Sequence, residues 1–238
     1  MKAIALLSLI STFAAVPAFA GPSTFPPATP TERQPLRIIQ TTEAVFPWML
    51  SQHGITEGWA RIAITVDGEG VLLDALPVAY TRKPFADAAV SALRSWRYEP
   101  TLIRGEPVGT QTEIMFNFQA VGVVVTFDTS RYISRLMEEK PAYQPCTLRE
   151  LDRVPTPLEA AAPAYGDDLA DKGVVGQAVV EFYIDETGTV RVPAVVACDF
   201  TELGILAVAA VETWKFEPPT SRNEPVLAKV RQTFHFNP

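Results

Sequence analysis

Apolar and polar residues alternate over three segments in the first half of the chain, and this alternation predicts β-strands. Gly58–Val66 keeps a strict period of two, which is typical of a strand with one buried face. Asp67–Gly70 follows as a glycine-containing hairpin turn, and Val71–Ala79 is the expected returning strand. A second turn at Arg104–Pro107 leads into Val108–Phe118, which is predicted as the last strand.

Between the second and the last strand, the apolar period changes to that of a helix. Pro100 prevents this helix from continuing. Upstream, Leu36–Gln40 predicts a short strand, and Glu43–Gln52 predicts a short helix with Pro47 in its first turn. The apolar stripe at i, i+3, i+4, i+7, i+8 and i+11 comprises Phe85, Ala88, Ala89, Ala92, Leu93 and Trp96.

The whole pattern occurs a second time. Trp96–Pro100 reads Trp-Arg-Tyr-Glu-Pro and Trp214–Pro218 reads Trp-Lys-Phe-Glu-Pro, and 214 − 96 = 118. At this offset, 18 of the 61 pairs from Gly58/Gly176 to Phe118/Phe236 are identical. A period of this length indicates two tandem copies of one small domain. Each copy is predicted to be α+β, in the order helix, strand, strand, helix, strand, with an antiparallel three-stranded sheet. The second stripe comprises Leu203, Leu206, Ala207, Ala210, Val211 and Trp214.

The start of the chain has the features of a secretory signal peptide. Lys2 precedes an apolar run, and Ala18-Phe19-Ala20 forms a small-x-small cleavage signal before Gly21. An uncleaved membrane anchor is the alternative, although the run is shorter than the roughly 20 residues that a span needs. The predicted parts are a signal peptide (1–20), a flexible proline-rich leader (21–35), two domains (36–127 and 151–238) and a connector (128–150).

Three further segments have weaker patterns. Val121–Phe127 is apolar enough to extend the last strand of the first copy, and Ser130–Lys140 is weakly helical. Glu159–Asp171 is expected to form the first helix of the second copy, with Pro163 in the role of Pro47.

Charge and cysteine content narrow the classes of partner and the compartment. Without Lys2 the formal charge is 19 − 27 = −8, which argues against nucleic acid or an anionic membrane surface as partners. Cys146 and Cys198 are the only cysteines, and in an exported chain they form either one disulfide or two separate thiols.

The ordered motifs resemble the TonB C-terminal domain family, twice over. They begin with a Tyr-Pro-like step, which is Phe46-Pro47 in the first copy and Pro163-Ala164-Tyr165 in the second. Gly-x-Ala leading to an Asp-x-x-Gly turn follows, then an alanine-rich helix ending in Trp-(Arg/Lys)-(Tyr/Phe)-Glu-Pro, Glu-Pro-Val and Phe-x-Phe. This resemblance implies a periplasmic, non-enzymatic module that binds an extended segment of an outer-membrane receptor as an added strand. Its open edge would be the last strand of each copy, Thr110–Phe118 and Ala228–Phe236.

The two last strands differ on the face that is expected to be exposed. The difference allows different partners for the two copies, pairing of one edge with the other, or ordinary solvated faces. The candidate partner-binding residues are Gln111, Glu113, Met115 and Asn117 in the first copy and Lys229, Arg231, Thr233 and His235 in the second. The opposite face supplies core residues, which with the tryptophans are Trp96, Phe116, Phe118, Trp214, Phe234 and Phe236.

The sequence has no pattern typical of a catalytic, cofactor or metal site. His53 and His235 are the only histidines, and they lie at non-equivalent positions of the two copies. Asp67–Gly70 lacks the ligand spacing of a calcium loop, so a turn is predicted. Glu99 and Glu217 are expected to contact backbone N–H groups or a lysine. No cofactor and no enzymatic activity are therefore expected.

Three functions remain open from the sequence. The first is a periplasmic TonB-like module that captures extended segments of envelope or outer-membrane transport proteins by β-strand addition. The second is an energy transducer that keeps an amino-terminal anchor, although residues 1–20 contain no histidine and the leader is short. The third is a structural protein whose two domains pack together and leave no open edge.

Overall fold

The computed structural model describes residues 33–103, 105–120, 122–126, 141–166, 169 and 173–237. We call residues 33–126 the first unit, 157–237 the second unit and 141–156 the connector. The first unit contains β1 (Arg33–Gln34), β2 (Arg37–Gln40), α1 (Trp48–Gln52), β3 (Glu57–Val66), β4 (Leu72–Tyr80), α2 (Lys83–Leu93), β5 (Arg97–Glu99), β6 (Thr101–Ile103), β7 (Glu106–Val108), β8 (Thr110–Gln119) and β9 (Gly122–Thr126). The second contains β10 (Pro157–Glu159), β11 (Gly176–Ile184), β12 (Val190–Cys198), α3 (Thr201–Glu212), β13 (Lys215–Phe216), β14 (Thr220–Ser221), β15 (Glu224–Pro225) and β16 (Ala228–Phe236).

Each unit is built on one main antiparallel sheet. The strand order is β4-β3-β8-β9 in the first unit and β12-β11-β16 in the second. The central strand pairs with the last alternating strand in the same register in both sheets, since Gly58 lies opposite Phe118 and Gly176 lies opposite Phe236. The mixed α+β class is confirmed, and the second unit has the expected three-stranded sheet, whereas the first has a fourth strand.

One long helix covers one face of each main sheet. The predicted apolar stripes are buried except for Ala88 and Leu206, which are half-buried. The helices end before the tryptophans, which lie in the following turn. Small residues let each helix approach its sheet closely. The buried helical residues are Phe85, Ala86, Ala89, Ala92 and Leu93 in α2, and Leu203, Gly204, Ala207, Ala210 and Val211 in α3.

The repeated tryptophan has the same two roles in both units. Trp96 and Trp214 are only 4% and 5% exposed, and their rings lie 5.6 Å from Phe116 and 5.5 Å from Phe234 respectively. Each indole N–H also donates a 2.8 Å hydrogen bond to a backbone carbonyl, that of Thr42 or of Ala161. The tryptophan therefore fixes the end of the helix to the segment that precedes the first strand of the sheet.

Both predicted hairpin turns between the first two strands are present. In the first, the Asp67 carboxylate accepts hydrogen bonds from the backbone N–H groups of Glu69 and Val71, and Gly70 has φ +82°. Asp185 and Gly188 repeat this arrangement in the second unit. Gly70 and Gly188 are required here, because a side chain would clash with the carbonyl oxygen of Tyr98 or Phe216.

Three local predictions are wrong. Val121–Phe127 does not extend β8, because the chain turns after Gln119 and β9 folds back antiparallel on Met115–Gln119. The leader does not stay unstructured to Pro35, since β1 pairs with β6. The helix expected over Glu159–Asp171 does not begin at Glu159, because β10 ends at this residue in a pairing with β13 and residues 160–166 are irregular, whereas Leu169 within the expected range is helical. The predicted helix at residues 130–140 lies outside the described residues.

The disulfide alternative is also wrong, because both cysteines are unpaired thiols. Cys198 lies opposite Ala178 of β11, whereas Cys146 lies beside Ala228, which is opposite Ile184. Six residues of strand separate those two β11 positions, a distance of about 20 Å. A disulfide needs Cα atoms within about 7 Å, so the sheet itself keeps the thiols apart.

The two main sheets pack against each other through the faces that their helices leave uncovered. A small apolar cluster joins them, comprising Ala63, Leu76 and Val78 of the first unit and Tyr183, Val192 and Leu227 of the second, with Tyr143 of the connector. Arg191 forms two hydrogen bonds to Asp74, at 2.8 and 2.5 Å. The Tyr143 ring stacks on Tyr80 at 4.8 Å, and its hydroxyl donates to Glu186.

Strand β12 is distorted where it meets the first unit. Val192 has φ 47°, in the left-handed region that β-branched residues rarely adopt. The pairing of β12 with β11 shifts register on both sides of Ala194 and Val195. Since Val192 is 6% exposed and belongs to the cluster between the units, packing compensates for this backbone strain.

Replacing a repeated tryptophan tests how far the fold depends on it. Trp214→Ala should lower the free energy of unfolding by about 3–5 kcal/mol, because it removes a buried ring and a hydrogen bond. Trp48→Ala is the matched control, since Trp48 is 66% exposed, and its effect should stay within about 0.5 kcal/mol. Urea unfolding followed by circular dichroism measures both, and equal effects would contradict the assigned role.

Candidate protein-binding edges

Strand β16 forms one edge of the second sheet. One side of it pairs with β11 along its whole length. On its other side, within the part of the chain that the structure describes, only the connector pairs with it, at Ala228. The backbone N–H of Cys146 donates to the Leu227 carbonyl at 2.8 Å, and the N–H of Lys229 donates to the Cys146 carbonyl at 3.2 Å. No described strand pairs with the rest of this edge.

These two hydrogen bonds show which backbone groups of β16 point outward. In an antiparallel strand, residues alternate between those whose N–H and C=O face one neighbour and those whose groups face the other. Because the N–H of Lys229 points away from β11, the backbone groups of Arg231, Thr233 and His235 do too. The side-chain amide of Gln232 donates to the Thr233 carbonyl at 2.8 Å, whereas no described residue accepts from these three N–H groups. The edge therefore offers three spaced donors to an incoming strand.

The side chains of β16 give this edge a basic, solvated surface. Arg231, Thr233 and His235 are exposed, as one of the sequence alternatives expects. Lys229 and Arg231 both contact the Glu181 carboxylate, at 2.7 and 2.8 Å. Partial burial raises the pKa of Glu181, but these hydrogen bonds outweigh burial and its pKa lies below the ordinary value. The carboxylate thus stays charged at neutral pH and holds both cations against the sheet.

The corresponding face of β8 is not a solvated surface. Met115 is 5% exposed and packs in a cluster with Trp59 and Ala79. Glu113 accepts a 2.9 Å hydrogen bond from the Tyr183 hydroxyl of the second unit, and Gln111 and Asn117 are half-buried. The expectation of exposed side chains fails here because the second sheet packs on this face. The two last strands do not pair with each other in the described structure.

Strand β9 also closes half of the β8 edge. It pairs with Met115–Gln119 and leaves Thr110–Ile114 without a second strand among the described residues. The expected open edge over Thr110–Phe118 is therefore wrong for its second half. Sequence reasoning missed β9 as a separate strand, since an apolar run directly after a strand gives no sign of where the chain turns.

The repeated glutamates form surface ion pairs. Glu99 lies 2.8 Å from Arg37, and Glu217 lies 2.7 Å from Arg153. The partners are arginines, rather than the backbone N–H groups or lysine that the sequence suggested. The first pair joins β5 to β2, and the second joins the residue after β13 to the connector, so both glutamates have a structural role.

The structure shows no arrangement typical of a metal site in its described residues, where no three His, Cys, Asp or Glu side chains are grouped to hold an ion. His53 forms a hydrogen bond with the Met49 carbonyl within the α1 region, at 2.8 Å. His235 lies on the β16 edge. The two histidines thus belong to separate surfaces of the molecule.

Comparison with known proteins places part of this chain beside one family. Residues 161–238 match the family model of the Gram-negative bacterial TonB protein C-terminal. This match covers one of the two expected copies, the one that contains β16. It shows that the second unit resembles the carboxy-terminal domain of TonB proteins, a protein-interaction module.

Part of the chain is also similar to a solved structure. The solution NMR structure of the Pseudomonas aeruginosa TonB CTD shares 23% sequence identity, with coverage of 39% of this chain and 93% of that chain and a TM-score of 0.34. No curated protein matches the chain significantly. Over the residues that are described, no helix has the length and apolar character needed to span a bilayer.

Hydrogen exchange tests whether the β16 edge is open in solution. The amides of Arg231, Thr233 and His235 should exchange at least about tenfold faster than those of Val230, Gln232 and Phe234, which face β11. Residue-resolved exchange followed by NMR measures this alternation. Uniform protection along the strand would mean that another segment already occupies the edge.

Proposed function

We propose that this chain is a periplasmic TonB-like binding module that captures extended segments of envelope or outer-membrane transport proteins. The second unit adds such a segment as a fourth strand beside β16. The observation that carries this function is the row of outward N–H groups at Arg231, Thr233 and His235, next to an edge that is unpaired in the described structure. The family match to residues 161–238 supports the same interpretation.

Backbone pairing supplies the affinity and the side chains supply the selectivity in this mode. A guest strand replaces water on the outward donors and displaces the Gln232 amide from the Thr233 carbonyl. Arg231 and His235 flank the guest, and Lys229 and Arg231 share the single Glu181 carboxylate, so this group of three side chains keeps a net positive charge. A guest with acidic residues near its ends is therefore favoured over a basic one.

The first unit is proposed to be a second TonB-like copy. Its main sheet has the same register as the second and carries a helix on the same face, with the same tryptophan contact to a preceding carbonyl. The packing of the two sheets buries the faces opposite the helices. Binding is therefore proposed at strand edges, with no role for those faces, and without a cofactor or catalytic step.

A proline at the centre of the edge tests strand addition. Thr233→Pro removes one outward N–H and adds a ring where the guest would lie, while the ladder to β11 keeps its hydrogen bonds. Peptides that match the periplasmic amino-terminal segments of Gram-negative outer-membrane receptors should bind this variant at least about tenfold more weakly.

The measurement is a titration of the labelled chain followed by NMR. The matched control is Thr233→Ala, which keeps the backbone donor and should bind as the parent does. Shift changes should be confined to β16 and its neighbours. Unchanged affinity in a folded Thr233→Pro variant would contradict strand addition at this edge.

Export and cleavage at Gly21 are part of the proposal and separate it from an anchored energy transducer. Expression of the full chain in a Gram-negative host should yield a periplasmic protein whose mass corresponds to residues 21–238. Intact-mass spectrometry of the periplasmic and membrane fractions measures this. A membrane-bound protein that retains residues 1–20 would favour the transducer.

A further inference from the structure

The connector occupies the start of the β16 edge in the way that a bound peptide would. Cys146 lies parallel to β16 and exchanges hydrogen bonds with Leu227 and Lys229. Two residues later, Leu148 packs against the apolar core of the second unit. Only a cavity of about 20 Å³ remains there, which Leu148 lines with Phe216, Trp214 and Val230 among others. The start of the β16 edge is thus filled by Cys146, through backbone hydrogen bonds, and by the aliphatic side chain of Leu148.

At the equivalent position of the first unit, no described segment fills the edge, and the described residues line a groove. At the offset of 118 residues, Thr110 and Thr112 of the first unit correspond to Ala228 and Val230 of the second, and the two sheets share one register. The groove here has a volume of about 460 Å³, within the range of about 300–1,000 Å³ that is typical of ligand sites. We call it the β8 groove, and its lining includes Pro35, Leu36, Ile38, Thr101, Gln111 and Thr112.

The backbone of β8 is suited to pair with a guest in this groove. Gln111 corresponds to Lys229, whose N–H points outward to the connector. By the same alternation, the backbone groups of Gln111 and Glu113 point away from β3. Strand β9 begins its pairing only at Met115, so no described strand faces these groups. The open half of β8 therefore offers a short row of unpaired backbone donors and acceptors beside the groove.

The lining of the groove indicates what kind of segment fits. None of its lining residues carries a charge, and Leu36 and Ile38 provide aliphatic walls. Thr101 is 1% exposed, and its hydroxyl has no hydrogen-bond partner within the described chain. An uncharged segment is favoured, because an ionised side chain would lose its hydration here without gaining a partner.

We propose that the β8 groove is a second peptide-binding site, which takes an extended, uncharged segment of a partner protein parallel to β8. An aliphatic side chain of the segment packs against Leu36 and Ile38, as Leu148 packs in the second unit. This inference rests on the strand-addition mode proposed above. It places that mode at a different strand, with a different side-chain preference. The chain is then bivalent, with one site in each unit.

The probe is a synthetic peptide with the connector sequence of residues 143–148 and serine in place of Cys146, Tyr-Gln-Pro-Ser-Thr-Leu. Added to the labelled chain 21–238, it should shift the NMR signals of Gln111–Glu113 and of Leu36 and Ile38. The control peptide ends in alanine in place of leucine and should bind about tenfold more weakly, since it lacks the buried side chain.

Two pairs of variants distinguish this site from β16. Gln111→Pro should abolish binding of the probe while Gln111→Ala keeps it, and Thr233→Pro should leave it unchanged. Conversely, Gln111→Pro should not weaken receptor-peptide binding at β16. If Gln111→Pro does not fold, Leu36→Asp replaces it, because a carboxylate in the groove wall should weaken probe binding at least tenfold.

Three results would overturn the proposal. Shifts limited to Leu227–Val230 would mean that the probe has displaced the connector from the second unit. Binding that requires removal of residues 21–32 would make the leader the occupant of the groove. Equal affinity for the leucine and alanine peptides would show that the β8 groove does not select for an aliphatic side chain. None of these outcomes depends on whether β16 binds a receptor segment.

Discussion

The structure depends on the alternation of backbone hydrogen-bonding groups along its two last strands. Half of these groups pair with the central strand of each sheet, and the other half must find water, another segment of this chain or a partner. In β16 the connector takes the first outward position and leaves Arg231, Thr233 and His235. In β8 the returning strand β9 takes the last positions and leaves the first. The two edges are thus open at opposite ends.

This constraint is compatible with folding because each sheet is stabilised from its other sides. A helix with small residues at its centre covers one face, and a tryptophan ties the end of that helix to a preceding carbonyl. The remaining faces pack on each other, with Arg191 and Asp74 joined across the interface. An edge can remain open because the apolar surface buried on the two faces of each sheet supplies the stability that the fold requires.

Much of this architecture could be predicted from the sequence. The period of two in Gly58–Val66 and the helical stripe from Phe85 fix the order and the buried faces, and the offset of 118 gives the common register. These patterns are local or repeated, so they can be recognised from this one sequence. The core aromatics Phe116, Phe118, Phe234 and Phe236 are buried as expected.

The candidate site was less predictable, because it depends on which distant segment reaches each edge. Met115 has the position of an exposed residue in an alternating strand, but it is buried beside Trp59 and Ala79 of the neighbouring strands. Glu113 has a polar side chain that suits either solvent or the Tyr183 hydroxyl. The alternation of a strand shows two faces and does not show what packs on the second. Likewise, Cys146 lies in a segment without periodicity, so its pairing with β16 follows from tertiary structure alone.

The central claim is that the outward backbone of β16 accepts a guest strand. Intermolecular nuclear Overhauser effects between a bound receptor peptide and the labelled chain test this most directly. The account predicts close contacts between peptide backbone protons and the amide protons of Arg231, Thr233 and His235, in the spacing of paired strands. Contacts confined to helix α3, or to side chains away from β16, would contradict it.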